Sequence, residues 1–135
     1  MKVCKILVIV VLSVMTVLAP LVIAAPAHAV DWDEWMYTED AFPGGRVQFE
    51  AYGDIVKLCD IDADGHGVWL RVRDDTQKIT KYTYTIGGED RCQEFRSALG
   101  GKYNLKEGDT FEFKICLMHY DHKEFCDTAY WKNKN

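Results

Sequence analysis

Serine is nearly missing from the mature part of this sequence: beyond Ala29 only Ser97 remains, with no G-x-S-x-G elbow around it. That argues against a serine hydrolase. Cations are also scarce. Taking Lys2 and Lys5 from 16 lysines and arginines leaves 14 against 21 acidic residues, a mature charge of −7. A nucleic-acid binder needs a basic stripe to face phosphate, so that class is set aside. No internal repeat, low-complexity tract or linker interrupts the chain. Free thiols are expected to be missing too, because Cys59, Cys92, Cys116 and Cys126 make an even set. A cysteine nucleophile then has no thiolate to use.

The first 29 residues read as a signal peptide helix. Lys2 and Lys5 form a basic start, Ile6 to Ala19 is apolar apart from Ser13 and Thr16, and Ala27-His28-Ala29 offers small residues at a cleavage site. Cys4 lies too early for lipid attachment. Retained, the leader would be just long enough to anchor the chain in a bilayer; Pro20, Pro26 and the A-x-A site favour cleavage. The expectation is a secreted, extracellular protein of 106 residues, with no membrane contact after cleavage. In an oxidising compartment four cysteines make two disulfides with three connectivities, of which the non-crossing pairs Cys59–Cys92 and Cys116–Cys126 are expected.

Along the mature chain, short alternating runs are separated by turn residues. Val47, Phe49 and Ala51 alternate with polar neighbours, as do Val68, Leu70 and Val72, and Phe111, Phe113, Ile115 and Leu117. Ile55 to Cys59, Ile79 to Ile86 and Asp127 to Trp131 complete the strands. The stretch between Gly87-Gly88 and Gly100-Gly101 fits either a helix capped by Asp90 and Gly100 or a short strand from Cys92 to Arg96; strand is favoured by its surroundings. The expected fold is an all-β antiparallel sandwich, immunoglobulin-like or a small barrel. The chain divides into a leader (1–29), an N-terminal arm (30–44) and a β-sandwich domain (45–135). Leu105 to Phe113 resembles the turn-then-strand corner of immunoglobulin-like and fibronectin-like sandwiches, where an apolar residue plugs the core ahead of a glycine turn.

Cys59-Asp60 leads into Ala63-Asp64-Gly65-His66-Gly67; Gly87-Gly88 precedes Cys92; a strand ends in Ile115-Cys116, and Cys126 lies near the tail. This arrangement, over roughly 45–130, resembles small secreted proteins of actinobacteria, most of which have no assigned activity. The resemblance implies secretion and a β fold, and nothing about chemistry.

Candidate sites are few. Asp60, Asp62 and Asp64, followed by Gly65, match the first half of a calcium loop, but Arg71 stands where a bidentate Glu should close it. The competing expectation is a polar hairpin turn between Cys59 and Val68, so no cofactor is assigned beyond weak calcium. Cys116-x2-His119-x2-His122-x3-Cys126 has zinc-type spacing, but oxidation removes both thiolates, and histidines three apart point to opposite faces of an extended strand. A His119/Asp121/His122 cluster, or His66 with Glu94 and Arg96, supplies residue types for a small hydrolase. Trp32 and Trp35 in the acidic arm are expected to pack back on the domain, with an aromatic-acidic docking segment as the alternative. Trp69, Arg71 and Arg73 share the polar face of one strand, alongside Lys81 and Thr83, and form a binding face for a protein or carbohydrate ligand. Otherwise Trp69 is buried and the arginines pair with Asp74 and Asp75. The function expected is therefore a non-catalytic binding or inhibitor-type module, not an enzyme. A His/Asp hydrolase and a cell-surface structural protein are the alternatives.

Overall fold

The computed structural model describes residues 29–134, so the leader lies outside the described residues apart from Ala29. Eight strands follow one another: β1 (Glu34–Tyr37), β2 (Gly45–Glu50), β3 (Ile55–Asp60), β4 (Gly67–Asp74), β5 (Ile79–Gly87), β6 (Arg91–Phe95), β7 (Thr110–His119) and β8 (His122–Lys132). They form two four-stranded sheets, ordered β1-β2-β3-β6 and β5-β4-β7-β8, with every pairing antiparallel. The chain crosses between sheets after β3, β5 and β6, a Greek-key path of the immunoglobulin-like kind. Both sheets are open, so the architecture is a sandwich and the barrel alternative is set aside.

Alternation places the core between the sheets. Val47 and Phe49, Val56 and Leu58, Val68, Leu70 and Val72, and Phe111, Phe113 and Ile115 are all buried, while their neighbours face outward. Phe49, Phe113 and Trp131 form its aromatic centre, with Phe113 and Trp131 4.6 Å apart at their centroids. Gly45 lets the sheets approach closely, since a β-carbon there would lie 2.6 Å from Val68. The ambiguous stretch is strand β6, and single 3-10 turns follow at Ser97–Leu99 and Gly101–Tyr103.

Leu105 is fully buried, as the corner resemblance implies. Its N–H donates to Asp54 Oδ2 at 2.9 Å, and Asn133 Nδ2 donates to Asp54 Oδ1 at 2.8 Å and to the Leu105 carbonyl at 3.0 Å. The β2–β3 turn, the corner and the chain's tail are thus joined through one buried carboxyl. Burial raises the pKa of Asp54, and the Leu105 and Asn133 hydrogen bonds partly offset that rise.

Both expected disulfides are present. Cys59 and Cys92 are directly opposed on β3 and β6. Cys116 meets Cys126 across β7 and β8 at a bulge where Phe125 takes a φ of 47°. Each bridge lies within a sheet. No helix of the described residues is long and apolar enough to cross a membrane.

The arm contributes a strand: β1 pairs with β2 and buries Met36 and Thr38. The expected inward packing of its tryptophans does not hold for Trp35, which is 59% exposed. The period of two that turns Met36 inward turns Trp35 outward.

Candidate functional site

The outer face of the second sheet gathers the predicted binding residues. Trp69, Arg71 and Arg73 alternate with the buried stripe of β4, and all three are half-buried on the opposite face. Register sets Thr85 and Thr83 beside Trp69 and Arg71 on one side, and Cys116, Lys114 and Glu112 beside Trp69, Arg71 and Arg73 on the other. On β8, Tyr130 lies opposite Glu112 and Lys132 opposite Thr110.

The arginines do not pair with Asp74. Asp74 accepts from the Gln77 N–H instead, which turns it into the β4–β5 connection. Arg71 Nη2 lies 2.5 Å from Glu112 Oε1, and Arg73 Nη1 lies 3.7 Å from Glu112 Oε2 and 3.6 Å from Asp75. The Tyr130 hydroxyl donates to Glu112 Oε2 at 3.4 Å. Glu112 is therefore a buried hub that fixes both guanidinium groups against the sheet. Lys123 Nζ sits 4.1 Å from the centre of the Trp69 ring, a cation–π contact beside the Cys116–Cys126 bridge. Arg71, Arg73, Lys114, Lys123 and Lys132 thus share a face on which Glu112 and Asp75 are the acids that pair with them. Glu112, Lys114 and Lys123 were absent from the sequence-based set. The alternation of Phe111 to Leu117 already turned Glu112 and Lys114 outward, but only the pairing of β4 with β7 sets them beside the arginines.

The acidic loop is a crossover between sheets, not a hairpin turn, because β3 and β4 belong to different sheets. Asp60, Asp62, Gly65, His66, Gly88 and Glu89 border a hollow of about 390 Å³. Asp60 is buried and accepts from the Gly88 N–H at 2.8 Å; burial raises its pKa, with Asp64 and Asp62 adding to the rise against the hydrogen bonds. Asp64 accepts from the His66 N–H at 2.7 Å and lies 3.1 Å from His66 Nδ1. Asp60 and Asp64 are thus engaged separately, and among the described residues no three His, Cys, Asp or Glu side chains converge as a metal site. Excess calcium is expected to leave the melting midpoint unchanged. A clear rise would assign the loop to calcium, since a ligand of the native state alone must stabilise it.

The histidines differ from their expected placement. Tyr120 and Asp121 turn the chain between β7 and β8, with Tyr120 at a φ of 52°. His119 and His122 are therefore cross-strand partners on one face instead of lying on opposite faces. His66 packs edge-on against His119 with ring centroids 4.8 Å apart. Glu94 and Arg96 pair with each other, so they do not join His66.

No family model, curated protein or solved structure matches the chain. Its chemistry is therefore read from its own geometry.

Proposed function

We propose that this is a secreted, non-catalytic binding module whose β5-β4-β7-β8 face engages an acidic surface of a partner protein. One observation carries the reading: a chain with a mature charge of −7 sets Arg71, Arg73, Lys114, Lys123 and Lys132 along one sheet face that also carries Trp69. Like charges brought together cost stability unless something offsets them. Glu112 offsets only the arginines, which leaves the lysines for a ligand. Trp69 adds an aromatic anchor of the type that dominates binding energy at interfaces. Two disulfides suit the oxidising compartment that the leader implies.

Retention on immobilised poly-glutamate at low ionic strength tests the face. The native protein is expected to be retained and to elute as salt rises. Lys114→Glu with Lys123→Glu leaves the Glu112 pairs intact and is expected to cut affinity about tenfold or more. Equal retention of the native and charge-reversed proteins would discard this face.

A further inference from the structure

We propose a second binding site, on the outer face of the first sheet, for a neutral glycan of two or more hexopyranose units. In register, Trp35 stands opposite Gln48 and Tyr37 opposite Arg46, so two aromatic and two hydrogen-bonding side chains form one patch. Trp35 is 59% and Tyr37 39% exposed. With Trp32 and Asp31 they line a hollow of about 370 Å³. A second hollow of about 390 Å³ shares Asp31 and continues past Glu50, Tyr52 and Arg96. The two hollows share Val30 and Asp31, so they adjoin along the edge of the sheet.

This edge is built, not frayed. The Asp33 N–H donates to the Phe49 carbonyl at 3.1 Å, and the Ala51 N–H donates to Asp33 Oδ2 at 2.9 Å, which holds Trp32 beside β1. Arg46 forms no ion pair among the described residues. Its Nη2 reaches only Cys59 Sγ, at 4.0 Å, and its Nε is buried with no acceptor. Among the described residues this guanidinium has no oxygen partner, which leaves its donors for a ligand beside Tyr37.

Charge and polarity choose the ligand class. Arg46 and Asp31 are the charged side chains that border the first hollow, one of each sign, and Arg96 beside the second is already paired with Glu94, so the first hollow offers donors and acceptors with its charges balanced. A polyanion gains nothing from that balance. An apolar partner would bury Arg46 and Asp31 without hydrogen-bond partners, which opposes its binding. A pyranose chain presents C–H faces to the rings and hydroxyls, both donor and acceptor, to the rim. Two aromatic rings two residues apart on a strand are about 7 Å from each other, so one hexose cannot cover both.

The test is titration of the full mature protein with cellohexaose, chitohexaose, maltohexaose and xylohexaose, with oligogalacturonate as the acidic arm, read by calorimetry and tryptophan emission. At least one neutral chain is expected to bind and shift the emission. Trp35→Ala, which removes no core contact, is expected to weaken it about tenfold or more, and Arg46→Ala to weaken it as well. Lys114→Glu with Lys123→Glu is expected to leave it unchanged, which keeps this site separate from the face proposed above. Failure of every neutral chain, tighter binding of the acidic arm, or undiminished binding by Trp35→Ala would overturn the proposal. So would a concentration-dependent dimer abolished by Trp35→Ala, which would assign the rings to a second copy.

Discussion

Replacing Cys59 and Cys92 together by serine is expected to lower the melting midpoint by roughly 15–30 °C, more than the same change at Cys116 and Cys126. The Cys59–Cys92 bridge closes a span of 33 residues and the other a span of 10. On the chain-entropy account these contribute about 3.7 and about 2.7 kcal/mol. Topology widens the gap. β6 is an edge strand of five residues whose only partner in its sheet is β3, so the first bridge holds it in register. The second staples a hairpin whose strands already meet through a two-residue turn. A domain of this size is stable by about 5–15 kcal/mol, so reducing both bridges, which removes about 6 kcal/mol, is expected to unfold it outright at the lower end of that range and to lower the midpoint steeply at the upper end. Thermal scans by circular dichroism with each pair removed check the order. A larger loss from the Cys116–Cys126 pair would show that β6 docks without covalent help.

Asp54→Ala is expected to destabilise the fold by about 2–4 kcal/mol, because it leaves the Leu105 N–H and one Asn133 N–H without acceptors in the interior. Asn133→Ala removes the same junction from the other side, so the double variant is expected to lose less than the two single losses combined. The pH dependence carries a definite sign. Burial raises the carboxyl above its ordinary value of 3.8. The native state therefore binds the proton more tightly than the unfolded chain. Stability from Asp54 is complete below pH 3.8 and declines as pH rises through the raised native value. The difference between native protein and Asp54→Ala, read by urea unfolding, is expected to be greater in the acid range than at neutral pH. A difference that grows with pH would mean that the ionised form is favoured by the fold.

Much of the sandwich was legible because burial writes a period of two into the chain. Val68 to Val72 and Phe111 to Leu117 alternate so regularly that their inward faces could be named before their partners were known. The non-crossing disulfides were also legible, since β3 and β6, like β7 and β8, are brought side by side. Three features were not. β1 is only four residues long and carries outward Trp35, so its composition imitates a packed arm when alternation decides otherwise. His119 and His122 change from opposite faces to one face because a two-residue turn, which needs positive φ at Tyr120, has no glycine to announce it. Glu112 as the hub of Arg71 and Arg73 depends on strand order, which is a long-range property with no local signature.

Because neither bridge joins the two sheets, tension applied across them meets no covalent link. A pull between the N-terminal arm and the C-terminal tail can peel β1 from one sheet and β8 from the other, down to Cys126, without meeting a covalent stop. The segment between Cys59 and Cys92 cannot lengthen while its bridge is intact, which withholds roughly 110 Å of contour length, and the Cys116–Cys126 bridge withholds roughly 35 Å more. Loaded from its ends, the protein would give up its outermost strands early and then stop short. A reducing environment would release the remaining length.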